Sequence, residues 1–155
     1  MTDESSGRVQ KVRQLRVVVE AEDYDAAVRF YRDVLGMGEI AAFSSGGEDR
    51  VAILEAGRAT FEIASPAHKV AIDAVEAAGT PSPKIRIAFE VDDAESATRE
   101  AEGAGATVVA EPVLTPWMSL NSRVDAPAGL TVTFFEETED SHERAERDGF
   151  GTNET

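Results

Sequence analysis

The 155-residue sequence predicts an α+β fold of two tandem βαβββ modules. Three observations carry this. Two strand-like hexads, Leu15 to Glu20 and Ile85 to Glu90, are each followed by a helix opening on an aspartate, Asp23 or Asp93. Charged as well as apolar positions recur between the two halves at an offset of about 70. After each helix, turn-forming residues divide the chain into three further short apolar segments.

The first module spans residues 15–64. Leu15-Arg16-Val17-Val18-Val19-Glu20 has the β-branched richness of a strand. Asp23 is the N-cap of the helix, Ala27, Phe30, Tyr31 and Val34 recur at helical spacing, and Gly36 supplies the stop. That stripe makes Tyr31 a core residue rather than a catalyst. Phe43, Val51 to Glu55 and Thr60 to Ala64 mark three strands, separated by Ser44-Ser45-Gly46-Gly47 and Ala56-Gly57-Arg58. Gly46-Gly47 is a turn and not a phosphate cradle, since neither a lysine nor a helix start follows it.

Residues 65–84 are a helical linker. Ser65-Pro66 opens a short helix carrying Val70, Ala71, Ala74, Val75 and Ala78 to a stop at Gly79, and Thr80-Pro81-Ser82-Pro83 is stiff. The second module, residues 85–137, repeats the first. Asp93 caps a helix with Ala94, Ala97, Ala101 and Ala104 along it, Gly103 and Gly105 end it, and Val108, Trp117 and Leu130 to Glu136 mark three strands. Arg16 meets Arg86, Glu20 meets Glu90, Asp23 meets Asp93 and Arg29 meets Arg99 across the repeat. The polar leader, residues 1–14, and the acidic tail, residues 138–155, fall outside both modules, and the tail has the composition of a disordered segment.

Thirty acidic against fifteen basic side chains give a formal charge of −15, which repels phosphate backbones and anionic lipid. Nucleic acid and membrane are excluded as partners on that ground. The sequence holds no apolar run of spanning length and no secretory h-region, so the protein is expected to be cytoplasmic. The absence of cysteine removes thiolate catalysis and cysteine-based zinc sites.

The run Asp23-Tyr24-Asp25-Ala26-Ala27-Val28-Arg29-Phe30-Tyr31-Arg32-Asp33-Val34-Leu35-Gly36-Met37 resembles the first-helix signature of glyoxalase/bleomycin-resistance (vicinal oxygen chelate) proteins, D-x-x-x-A-x-x-FY-x-x-x-LG. Trp117, the Arg123 to Pro127 segment and Gly129 with its following strand resemble the closing strand of that family. The resemblance covers Leu15 to Glu137. It implies curved mixed sheets forming a cup, and a homodimer with each cup inside one subunit or built across the interface. It does not fix an activity, because the fold hosts lyases, dioxygenases, epimerases, thiol transferases and drug-binding proteins.

In the metalloenzymes of the family, His or Glu ligands point inward from the first and fourth strands of each module. Those positions correspond here to Arg16, Glu62, Arg86 and Thr133. An arginine has no lone pair to give a metal, and His68 and His142 lie in the linker helix and the tail, so no metal and no cofactor are expected. Strand alternation puts Arg16, Val18 and Glu20, and likewise Arg86, Ala88 and Glu90, on the cup face with Thr60, Glu62, Thr131 and Thr133. Val17, Val19, Ile87, Phe89 and Val91 then face the helices.

Two readings of the charged cup follow. Its arginines and carboxylates form an internal ion network without a ligand, or the arginines grip an acidic or oxygen-rich group while the carboxylates read a polar or cationic part. Trp117 could stack on a planar ligand at the mouth, or serve a core or interface. The ligand-binding candidates are therefore Arg16, Glu20, Glu62, Arg86, Glu90, Trp117 and Thr133. The function expected from them is metal-independent binding or sequestration of a small molecule, antibiotic-like or carboxylated. The alternatives are a lyase, isomerase or dioxygenase-like enzyme and a non-catalytic dimerisation or regulatory module.

Overall fold

Asp23 and Asp93 start their helices as the sequence requires. The computed structural model describes residues 14, 16–60, 62, 64–140, 142–143 and 146. In it, the Asp23 carboxylate accepts from the Ala26 N–H and the Asp93 carboxylate from the Ser96 N–H, each at 3.0 Å. Helix α1 (Tyr24–Val28) runs on into a π-helical turn (Arg29–Val34), and the chain leaves it through Gly36 at φ +73°. Helix α3 (Ala94–Gly103) is capped a second time by Glu136, which accepts from the Ala94 N–H at 2.8 Å.

The second module forms one complete βαβββ unit. Strands β3 (Ile87–Glu90), β4 (Thr107–Leu114), β5 (Ser119–Ala126) and β6 (Leu130–Glu137) make a mixed sheet in the order β3-β6-β5-β4. β3 runs parallel to β6, with Ile87 opposite Val132 and Phe89 opposite Phe134, and the other pairs are antiparallel. Alternation sends Val124, Val132 and Phe134 to one face, where Ala101 and Ala106 of the α3 region meet them. Phe30 and Tyr31, from the π-helical turn that continues α1, complete this core, their rings edge to face at 5.0 Å. The Tyr31 hydroxyl donates to the Pro127 carbonyl at 2.7 Å. The helix of the first module therefore packs on the sheet of the second.

That packing explains where the first module departs from expectation. Among the described residues of the first module, β1 (Glu39–Gly46) and β2 (Asp49–Leu54) alone pair, as an antiparallel ribbon turning at Gly47, whose φ of +61° suits glycine. Residues 16–20 form no strand, and Val17, Val18 and Val19 are exposed, Val18 at 82%. Thr60, Glu62 and Ala64 form none either. Leu15, Phe61 and Ile63 lie outside the described residues, as do residues 1–13 and most of the tail beyond Asp140. Strand stability comes from cross-strand and same-face neighbours rather than from intrinsic preference. With Phe30 and Tyr31 turned to the second sheet, the valines of 16–20 have no helix beneath them.

The linker helix α2 (Pro66–Ala77) is capped by the Ser65 hydroxyl, which accepts from the His68 N–H, and ends in left-handed Ala78 and Gly79. The residues it buries are Asp73, Glu76 and Ala77, whereas Val70 is 68% exposed and Ala71 and Ala74 face solvent. The cause is the polar sheet face on which it docks. Trp117, expected on a strand, sits instead in the turn joining β4 to β5, closed by the Met118 N–H on the Thr115 carbonyl at 3.0 Å. Among the described residues no helix is long and apolar enough to cross a membrane.

Phe134 is fully buried and Phe43 is 70% exposed. In denaturant melts of dilute protein, Phe134→Ala is expected to lower stability by about 3–5 kcal/mol and Phe43→Ala to change it by less than about 0.5 kcal/mol. Comparable losses would contradict this assignment of the core.

Candidate functional site

On β5, alternation turns Ser119, Asn121 and Arg123 to the face opposite the apolar core, and all three are buried. Thr133 of β6 and Arg86, just before β3, join them there. α2 lies across this face and lowers Glu76 and Asp73 onto it, three residues apart on one side of the helix.

Glu76 is held on both oxygens. Its Oε1 accepts from Arg123 Nε at 3.0 Å and from the Thr133 hydroxyl, and lies 3.8 Å from Arg86 Nη1. Its Oε2 accepts from Asn121 Nδ2 at 3.0 Å, and the Asn121 carbonyl in turn accepts from the Ser119 hydroxyl. Arg86 Nη1 also donates to Thr133 Oγ1 at 2.7 Å. Arg123, with a side chain only 1% exposed, extends Nη1 to the Thr80 carbonyl at 3.1 Å and pairs with Asp73 Oδ1 at 2.9 Å. Its Nη2 is buried with no hydrogen-bond partner among the described residues.

Asp73 Oδ2 accepts from the Ser82 N–H at 3.1 Å and from Lys69 Nζ at 3.2 Å. Burial pushes the Asp73 carboxyl up, but the Ser82 N–H, Lys69 and Arg123 outweigh it and hold it down at about 2. Burial alone pushes the Tyr31 phenol up to about 12, which with its bond to Pro127 keeps it neutral in the core.

Of the seven residues singled out from sequence, the structure brings Arg86 and Thr133 into direct contact. Arg16 is exposed and donates to the Gln14 side chain at 3.4 Å, and Glu20 and Glu62 are exposed. No hydrogen bond or ion pair among the described residues ties these three to the Arg86 cluster. Glu90 lines a separate crevice of about 300 Å³ with Leu35, Met37, Phe89 and Glu100. Trp117 is half-buried in its turn. The sequence reading missed Asp73, Glu76, Asn121 and Arg123. The two acids at i and i+3 in the linker helix, and the alternating polar residues Ser119, Asn121 and Arg123 on a strand, were the available signals.

The donor set does not fit a metal. Arg86 already donates to Thr133, and Glu62 stands apart in an exposed segment. Among the described residues no group of three or more His, Cys, Asp or Glu could hold an ion. The arrangement can instead bind a carboxylate, because three hydrogen-bond donors from β5 and β6 converge on one such group, with the Arg86 guanidinium 3.8 Å away.

The profile of the Glyoxalase/Bleomycin resistance protein/Dioxygenase superfamily matches residues 13–134. No curated protein matches the chain. Among solved structures, TnmS3, an antibiotic binding protein from a Streptomyces species, is 18% identical with a TM-score of 0.55, covering 84% of this chain and 100% of its own. A superfamily member from Sphaerobacter thermophilus is 19% identical with a TM-score of 0.51, covering 77% and 92%. A protein of unknown function from Agrobacterium tumefaciens is 20% identical with a TM-score of 0.51, covering 82% and 98%. At these identities the likeness is one of fold.

The lowered pKa of Asp73 has a definite consequence for stability. A carboxylate with a depressed folded-state pKa stabilises the fold above its ordinary pKa near 4, and that contribution disappears as pH falls toward about 2. Asp73→Asn is therefore expected to be less stable than wild type by on the order of 2 kcal/mol at neutral pH, with the gap closing between about pH 4 and pH 2. Denaturant melts across that range check it. A gap independent of pH would remove the ionised Asp73 from the account.

Proposed function

Because the chain belongs to the glyoxalase/bleomycin resistance protein/dioxygenase superfamily, we propose that it is a metal-independent protein that binds or sequesters a small molecule bearing an acidic or oxygen-rich group. The observation that carries this reading is the arginine-centred cradle of Arg86, Arg123, Asn121 and Thr133 on the sheet face, which already grips a carboxylate by both oxygens. The arginines anchor the acidic group of the ligand, and the remaining contacts select its body. The antibiotic binding described for TnmS3, on the same fold, supports an antibiotic-like ligand class.

The binding unit in this reading is a homodimer. Val17, Val18, Ile40, Phe43 and Val51 are exposed along the incomplete first module, and a second copy covers them. Sedimentation at micromolar concentration is expected to give a dimer, and a species near the 16.6 kDa chain mass alone would sink this part.

One observation favours a second reading, a non-catalytic dimerisation or regulatory module. Glu76 and Asp73 fill the cradle with the protein's own carboxylates, as an internal ion network would.

A thermal-shift screen of carboxylates, cationic antibiotics and divalent metals decides between the two. The binding reading expects a saturable rise in melting temperature with a carboxylated compound and none with the metals. Arg86→Met is then expected to weaken that compound by roughly 1.5–3 kcal/mol, about tenfold or more, while stability changes little, since the Arg86 side chain is 24% exposed. No response from any compound, with a large stability loss in Arg86→Met, would favour the module.

A further inference from the structure

We propose that α2 is an exchangeable occupant of its own sheet: Glu76 and Asp73 hold the place of a ligand's carboxylates on the cradle, and a carboxylate-bearing small molecule enters by releasing the helix. This rests on the binding reading above and adds to it a ligand chemistry and a gate.

The two faces of the second sheet supply an internal comparison. On one face α3 and α1 dock through Phe30, Ala101, Val124, Val132 and Phe134, with no α2 residue among the buried core. On the other, α2 buries two carboxylates and a single apolar side chain, Ala77. A helix is held at least as well by apolar packing as by a desolvated ion pair, so docking alone does not call for Arg123, Asn121 and Thr133 on this face. Their convergence on one carboxylate has the form of a receptor, with donors reaching both oxygens from different strands.

The occupant fits incompletely. Arg123 Nη2 is buried without a hydrogen-bond partner among the described residues, and the Asp73 contact is a close ion pair that lacks hydrogen-bond alignment. A ligand oxygen placed there gains a donor that α2 leaves unused.

The helix also has the means to leave. Its outward side carries Val70 at 68% exposure with Ala71 and Ala74, and lifting it uncovers only the half-buried Ile72 and Val75 and the small Ala77 among its apolar side chains. Exposed residues Ala64 and Ser65 precede it, and the chain after it reaches Ile85 at 77% exposure before entering β3. Release breaks the ion pairs and leaves the core of α1, α3 and the sheet in place. Because the tethered carboxylates compete with any free one, a ligand's apparent affinity is reduced by the fraction of molecules in which α2 is lifted.

The test uses succinate as the probe, with succinamide and sodium chloride of equal ionic strength as controls, on the full chain. Calorimetry of the double variant Asp73→Ala with Glu76→Ala is expected to show saturable succinate binding at least tenfold tighter than in wild type. Succinamide should not bind, and adding Arg123→Met should abolish the signal.

Since the emptied variant leaves Arg123 unpaired and could fail to fold, wild-type hydrogen exchange provides the second measurement. Amides of residues 69–77 should exchange at least tenfold faster than those of residues 98–101 in α3, and succinate but not succinamide should accelerate them further while β5 and β6 stay protected. Unchanged α2 exchange under succinate overturns the proposal whether or not the variant folds. So does a folded variant that binds succinate no better than wild type. A compound from the thermal screen that binds with α2 protection intact overturns the gate and leaves the binding reading standing, whereas no compound binding at all removes that reading as well.

Discussion

A guanidinium that is 1% exposed cannot be left without anionic partners, and Arg123 imposes that requirement on everything around it. It lies on the middle of a strand whose other residues are fixed by the core on the opposite face, so it cannot turn to solvent without undoing the register of β5 against β6. The partners must therefore come to it. α2 brings them, which fixes both the side of the helix that faces the sheet and the side that does not. The outward valine and alanines of α2 follow from the placement of an arginine some fifty residues away in sequence.

A second dependence runs across the modules. Phe30 and Tyr31 are the strongest apolar anchors of the first helix, and both are committed to the sheet of the second module, with the Tyr31 hydroxyl tied to Pro127 where the chain turns into β6. Among the described residues, the ties between this helical segment and its own ribbon are mostly polar: Arg50 pairs with Asp25 at 2.9 Å and stacks on the Tyr24 ring at 4.4 Å, Arg32 pairs with Glu39 at 3.4 Å, and Leu54 of β2 packs at the edge of the shared core. An isolated two-stranded ribbon is marginal in water, and its apolar residues remain available to another surface. Two modules with matching sequence patterns thus differ in structure because one core serves both helices.

Signals that depend on neighbours in the chain were legible in the sequence. The caps at Asp23, Ser65 and Asp93 and the second-module strands around Val108 and Leu130 lie where local patterns place them, because a cap or an alternation is decided within a few residues. Strand alternation puts Arg86 and Thr133 on the same face, and it is the parallel pairing of β3 with β6 that brings them into hydrogen-bond contact. Whether residues 16–20 would find a partner strand was not legible, since that depends on where α1 packs. Nor was the inward side of α2, where Val70, Ala71 and Ala74 are exposed and two acids are buried against the charge on the opposing face. The i, i+3 spacing of Asp73 and Glu76 put them on one side of the helix, but nothing local said that this side faces the sheet.

The site and the surface of this protein act on an anion in opposite directions. A net charge of −15 disfavours the approach of a carboxylate, but that field belongs mostly to solvated side chains and falls off within about 8 Å at physiological salt. Beneath α2 the cationic side chains are Arg123, 1% exposed, and Arg86, 24% exposed, in surroundings where water screens them less than at the open surface. Approach is therefore governed by the surface and retention by the arginines. In the proposed exchange a ligand replaces both Glu76 and Asp73, so the net charge within the cradle is unchanged only when the incoming molecule carries two carboxylates, as succinate does, and the acids of the lifted helix return to water where their charge is fully solvated. Exchanging two carboxylates for two makes an anion site compatible with so acidic a protein, because no net negative charge has to be added to the buried face.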